Sequence, residues 1–450
     1  MSRTLHAHDV SRRRFLYTGT AAVAGLGLSL RTHNACLAAD DRPLKVGAVI
    51  TEFTYRSHAH VILENFLEPY LFNGKKTVSG MDVVSLYVDQ FPAGDMARDV
   101  AKQYGITIYP KIAEALCDGG DRLAVDAVLS IGEHGNYPHN EKGQHMYPRK
   151  RFFDEITAVF RDSGRTVPVY SDKHLSYRWD FAKEMYDTAA SMDFGLMAGS
   201  SVPLAQRWPP LELPRGAKIE TAVSIHGGGV ESYDFHGLEV LQSMIESRAG
   251  GETGIRQVQF LQGDALWEAA EKGLWSIPVA EAAMAAELGP GQPPLRQLVE
   301  LPQVNPAPPH GILLTYQDGL RAMCLKVGNS GTRWNFACQL ADESKPRLTR
   351  FYVGPWQNRN LFKALSHAIQ SHFRKGRSPY PVQRTLLVTG ALDASMQSRF
   401  EGGTVQQTPR LEFAYTPRDY RDMREMGASW KILHEGVPEP RGINPDGGVI

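Results

Sequence analysis

From residue 44 to residue 192, short apolar runs alternate with stretches of helical potential, and no other feature of the chain restricts its fold so tightly. A strand buried on both faces needs no polar alternation, so 44–50 (Leu-Lys-Val-Gly-Ala-Val-Ile), 81–88 and 124–131 read as parallel strands. Between and after them, 57–70, 95–104 (closed by Gly105), 111–116, 151–162 and 176–192 read as helices, with short strands at 106–109 and 167–170. This alternation predicts right-handed crossovers and a doubly wound parallel α/β sheet over 43–204.

The texture changes at Trp208, where Pro209, Pro210 and Pro214 mark a junction. Beyond it, β-branched runs at 218–225, 255–263, 311–316, 322–327 and 332–340 accompany helical stretches at 237–247, 360–374 and 382–398. Residues 205–450 are therefore expected to form an α+β domain with a largely antiparallel sheet, in which the Pro-rich 289–309 segment is a surface connection. At about 100–200 residues per domain, the length accommodates this division. Cys324 and Cys338 flank a hairpin expected around Gly328–Gly331, a spacing that permits a disulfide in an oxidising compartment.

That compartment is suggested by the N-terminus. Residues 11–19 read Ser-Arg-Arg-Arg-Phe-Leu-Tyr-Thr-Gly, a twin-arginine export signal followed by a weakly apolar stretch at 17–30. The stretch falls short of the ~20 apolar residues that span a bilayer. Small residues at Ala35, Ala38 and Ala39 suit cleavage near Asp40. A signal peptide over 1–39, passage through the twin-arginine translocase and a periplasmic or otherwise exported destination are the expectation. Lys+Arg and Asp+Glu both total 49, so no net field recruits nucleic acid, and the charge balance points to a small-molecule partner.

Ligands of doubly wound sheets sit beyond the carboxyl ends of the strands. That rule selects Thr51–His60, Asp89, the loop 132–149 and Ser171–His174. In the loop, His134, Asn136, Tyr137 and Asn140 offer hydrogen bonds suited to sugar hydroxyls, and Asp234 lies near in the second domain's pattern. Glu133, His134, His139 and His145 also supply ligands for a divalent metal, at irregular spacing. Lys173 at a strand end can give a proton or steady an oxyanion, or it can be a surface lysine paired with Asp172. His236 opens a helix with apolar spacing at Leu238, Leu241 and Ile245, and reads equally as chemistry or as a helix residue. Asp89 can hold a ribose or cap the next helix.

The order of these segments resembles the Gfo/Idh/MocA oxidoreductases, typified by glucose-fructose oxidoreductase and inositol dehydrogenase, across nearly the whole chain after the leader. The resemblance rests on Val46-Gly47-Ala48-Val49-Ile50 followed by 51–58, Asp89, Tyr104-Gly105-Ile106, Val125-Asp126-Ala127-Val128, Ser171-Asp172-Lys173-His174-Leu175, and Gly227-Gly228-Gly229 with His236-Gly237-Leu238-Glu239. It implies a Rossmann-type first domain and a tightly bound NAD or NADP held by Thr51, Phe53, His58, Asp89, Glu133 and Lys173. It also implies Lys173 and His236 as catalytic residues, a sugar-like or polyol substrate, and pairing into a homo-oligomer. The chain departs from the family where Thr51, Phe53 and Ser57 stand in place of the phosphate-loop glycines, and Ser232 in place of the acid before the catalytic histidine. Glycine there lets the backbone approach a pyrophosphate; a phenylalanine side chain obstructs it. Two other classes use the same residues: a metal-dependent hydrolase or lyase, and a cofactor-free binding protein.

Overall fold

The computed structural model describes residues 42–301 and 308–443, so the 1–39 leader and part of the 289–309 connection lie outside the described residues. From Pro43 onward the chain forms one compact unit. Its first half runs β1 (Leu44–Ile50), α1 (His58–Leu67), a ribbon of β2 (Tyr70–Phe72) and β3 (Lys75–Thr77), then β4 (Met81–Val88), α2 (Ala97–Tyr104), β5 (Thr107–Tyr109) and α3 (Ile112–Leu116). It continues with β6 (Ala127–Ile131), α4 (Arg149–Ser163), β7 (Val169–Asp172), α5 (Trp179–Ser191) and β8 (Leu196–Gly199). The ribbon aside, these strands form a six-stranded parallel sheet in the order β5-β4-β1-β6-β7-β8. The order reverses between β1 and β6, which places the ligand crevice beyond Ile50 and Ile131. Residues 44–50 carry apolar side chains to both faces: Val46, Ala48 and Ile50 enter the core beneath α1, while Val49 packs with Ile112, Leu116 and Phe152 of α3 and α4.

The second half comprises β9 (Gln206–Trp208), β10 (Ile219–Gly227), α6 (Ser232–Ile245), β11 (Ile255–Gln262), α7 (Asp264–Glu271), α8 (Ile277–Leu288) and α9 (Leu295–Leu298). After these come β12 (His310–Tyr316), β13 (Arg321–Lys326), β14 (Ser330–Leu340), β15 (Arg347–Tyr352), α10 (Asn358–Lys375), α11 (Val382–Phe400) and β16 (Gln406–Gln407). The eight strands order as β16-β11-β12-β13-β10-β14-β15-β9, all antiparallel except β10 beside β13. The fold is thus an α/β parallel sheet followed by a mainly antiparallel α+β sheet, as the patterning predicts. One face of the second sheet is covered by α6 and α11; the other packs against α7 and α8 through Leu266, Trp275, Ala280 and Met284. The last two helices return to the first sheet, α10 lying on α1 and α11 on α5 and β8. Among the described residues no helix is long and apolar enough to cross a membrane.

Several details differ from expectation. The hairpin around Gly328–Gly331 does not form: β10 inserts between β13 and β14, pairing Ser224 with Cys324 and Ala222 with Cys338. Two strand spacings of about 4.8 Å keep those cysteines too far apart for a disulfide, and both are free and buried. The alanine-rich α8 gives almost no polar–apolar contrast to read. Helix α6 starts five residues earlier than 237, because Glu231 and Asp234 form a capping box at its N-terminus. His236 therefore sits in the helix body rather than at its first residue.

Candidate active site

The cleft is assembled from strand ends. Glu133 lies two residues past β6, Lys173 immediately follows β7, His58 opens α1, and Glu231 to His236 arrive at the start of α6 from the second sheet. Lys173 Nζ donates to Glu133 Oε1 at 2.7 Å, and the Arg149 guanidinium pairs with the carboxylate's other oxygen. All three side chains are buried. Gly132 makes room for Arg149, since a Cβ there would meet its Cγ at 2.7 Å. On the next strand end, Asp172 accepts the Tyr170 hydroxyl at 3.0 Å and holds His58 Nδ1 at 2.6 Å. The His58 ring stands edge-on to His134 and Phe362. His236 Nδ1 lies 2.6 Å from Ser200 Oγ.

Three non-glycine residues in this cleft adopt the left-handed backbone: Lys173 (φ 61°), His134 (φ 69°) and Glu231 (φ 65°). Each such residue costs on the order of 1–3 kcal/mol and persists only where surrounding structure imposes it, which happens most often at functional sites. The electrostatics are equally organised. Burial opposes ionisation of Glu133, yet Lys173 and Arg149 beside it hold its carboxyl well below the usual range. Burial pushes Glu231 up to about 7, only partly offset by the His145 N–H that donates to its Oε2 at 2.9 Å. Burial also lowers His134 to about 4, and holds His174 and His236 well below the usual imidazole range. A carboxyl poised near neutrality stands among neutral imidazoles and one buried ion-pair cluster. Four buried polar atoms of this cleft, Glu231 Oε1, His134 Nε2, Arg149 Nε and His174 Nδ1, have no protein partner.

The remaining site residues expected from sequence lie elsewhere or are already engaged. Asp89 neither caps a helix nor stands free: its carboxylate takes the hydroxyls of Tyr87 and Tyr137 and the Arg151 guanidinium, each at 2.6 Å. Tyr137 is thereby committed to Asp89, and Asn136 is paired through its backbone with Gln90 at 2.9 and 3.1 Å. The Asn140 side chain braces the loop through Lys142 N, Gln144 N and Gln144 Oε1. Asp234 is fully buried; its Oδ1 accepts from His226 at 2.9 Å and His310 at 2.7 Å, and its Oδ2 accepts from Glu231 N. The loop metal set is not assembled. Glu133 is spent on Lys173 and Arg149, His145 Nε2 lies 2.9 Å from Tyr137 O, and His139 stacks on His145. Among the described residues the ligand atoms that converge belong to His226, Asp234 and His310, within 4.8 Å of one another, and the two hydrogen bonds to Asp234 account for that closeness. Sequence reading did not single out Glu231 or Ser200 as site residues; the triple glycine 227–229 just before Glu231 is the signal it held.

A dinucleotide does not fit the residues present. Thr51 is buried, with its hydroxyl on Glu133 O and its backbone N on Ile131 O, so the crevice between β1 and β6 is closed across its mouth. Phe53 is fully buried in the core, and its carbonyl accepts from Met96 N at 2.7 Å. Three donors at the start of α1 that a pyrophosphate could use are consumed internally: Arg56 N on His60 Nδ1, Ser57 N on Thr54 O, and His60 N on Ser57 Oγ. Glu439 from the C-terminal segment then covers the loop, binding Tyr55, Arg56 and Arg359. Asp89, where a ribose would bind, is filled by Tyr137.

No family model matches this sequence, and no curated protein is similar to it in sequence. In fold it is similar to myo-inositol dehydrogenase from Lactobacillus casei, solved with NAD(H) and myo-inositol (TM-score 0.52, 14% identity, 83% of this chain and 98% of that one). It is similar also to GenD2 from gentamicin A biosynthesis, solved with NAD (TM-score 0.52, 13% identity, 81% and 96%). A probable dehydrogenase from Thermotoga maritima gives a TM-score of 0.50 at 10% identity, over 82% and 100%. The resemblance to a family typified by inositol dehydrogenase is thus matched at the level of fold.

Proposed function

We propose that the cleft performs proton transfer on a polyhydroxylated, sugar-like small molecule, using the fold of polyol dehydrogenases without a dinucleotide. One observation carries this reading: the buried Lys173–Glu133–Arg149 cluster is flanked by Glu231, whose Oε1 is unpartnered, while Tyr137 fills the ribose position at Asp89 and the chain's own groups take up Thr51, Arg56 N and His60 N in the phosphate loop. Glu231 takes a proton from carbon or oxygen, Lys173 and Arg149 steady the negative charge that develops on a substrate oxygen, and neutral His134 and His236 hydrogen-bond hydroxyls. Isomerisation, epimerisation and elimination next to a carbonyl are the reactions such a set supports. The twin-arginine leader puts this chemistry outside the cytoplasm, where a protein without a nucleotide has none to lose.

The general-base role fixes a pH dependence. Ionised Glu231 is the active form, so kcat/KM rises as pH increases towards about 7 and levels off above it. Glu231→Gln removes that limb along with most of the activity. A carbon-13 titration of the glutamate carboxyls checks the midpoint without substrate, and a Glu231 resonance titrating in the ordinary carboxylate range contradicts the role.

Hydride transfer with a tightly bound nicotinamide is the second reading, favoured by the NAD-bound structures that share the fold. The two separate cleanly. Protein purified folded from the cytoplasm is denatured and the released small molecules are assayed; no stoichiometric NAD(P) is expected. Near one nucleotide per chain establishes the second reading instead.

A further inference from the structure

At the far end of α6 a cavity of about 420 Å³ is lined by five arginines, Arg207, Arg215, Arg418, Arg421 and Arg424, against three carboxyls. We propose that this cavity binds a tetrahedral oxyanion, sulfate or phosphate, either free or as the monoester group of a larger ligand. It is independent of the cleft: α6 spans 14 residues, so the two sites lie about 20 Å apart along its axis.

The carboxyls do not neutralise the cavity. Glu212 is shared between Arg207 at 3.1 Å and Arg424, and Asp419 is paired with Arg421. Glu246 is turned towards Arg384 and the Tyr415 hydroxyl, and burial pushes it up to about 7, so it carries only part of a charge at neutral pH. Two of the guanidinium groups are themselves buried in the wall. Arg424 is 2% exposed, and the Arg207 side chain 8%. The Nε of Arg424 finds no acceptor in the protein, and Arg207 has only Leu211 O, Glu212 and the Tyr420 hydroxyl to share. Burying cationic donors in this way is costly unless an anion satisfies them. Arg207 shows the strain: burial, and the nearby Arg424 charge, lower its pKa despite Tyr420 and Glu212. A planar guanidinium fork matches the oxygens of sulfate and phosphate better than it matches chloride.

The test uses the full mature chain. Sodium sulfate and sodium phosphate are titrated calorimetrically at constant ionic strength maintained with chloride, alongside a monosaccharide sulfate and a monosaccharide phosphate. Saturable binding of either oxyanion is expected, with the thermal midpoint rising as the site fills. Binding of the esters tighter than the free ions identifies the anion as the handle of a larger ligand; equal binding identifies a free ion. The exposed pair Arg215→Gln/Arg421→Gln, which leaves the buried arginines in place, is expected to weaken binding at least fivefold. Arg207→Lys, which keeps the charge but loses the fork, weakens it as well. Absence of saturable binding by any of the four, or binding unaltered in the double variant, overturns the proposal.

Discussion

Replacing Lys173 by methionine is expected to lower turnover by about 10²–10⁴-fold, the range for losing a positioned proton-transfer or charge-stabilising group. The chain should survive the change. Glu133 keeps Arg149 as a counter-ion, so no buried charge is left alone. Lys173→Arg is not expected to restore activity: the ammonium reaches Glu133 Oε1 at 2.7 Å from a left-handed backbone position, and a longer planar guanidinium cannot occupy that point. Steady-state kinetics on the substrate found by screening aldo and keto sugars gives the comparison, with circular dichroism to confirm the fold. Unchanged kcat in both variants would remove Lys173 from the chemistry and leave Glu133 and Arg149 as a purely structural pair.

The reach of the sequence ends where contacts become long-range. The first sheet was legible because β1 and β6 are buried on both faces, which writes mostly apolar runs into 44–50 and 127–131, broken only by Lys45 and Ser130. Because the strands were placed, Glu133 and Lys173 could be named from their ends. The β13–β14 hairpin failed for the opposite reason: the strand that separates them lies some hundred residues earlier, and nothing in 321–340 announces its insertion. Asp89 reads from sequence as a ribose ligand or a helix cap, since its actual partner Tyr137 is distant in sequence and belongs to a loop without periodicity. Glu439, which closes over Arg56, is further still. Glu231 could not be told from any acid after a glycine run, because its distinguishing property is burial.

Glu133→Gln is expected to cost about 3–5 kcal/mol of stability, the penalty for leaving buried charge without its counter-ion. The substitution preserves shape and removes only charge. Arg149 and Lys173, both buried, lose their shared carboxylate; of the carboxyls beside them, Asp172 is already committed to His58 and Tyr170, and Glu231 is pushed up to about 7 by burial. The urea midpoint should fall with the slope unchanged, since the surface exposed on unfolding is the same. Adding Lys173→Met to Glu133→Gln should recover part of the loss, because it deletes one of the two stranded cations. That non-additivity separates an ion-pair cluster from ordinary packing, for which the two costs would simply sum. A Glu133→Gln protein as stable as its parent would mean that solvent reaches these charges. The closed cleft on which the proposed proton transfer depends would then be open to water.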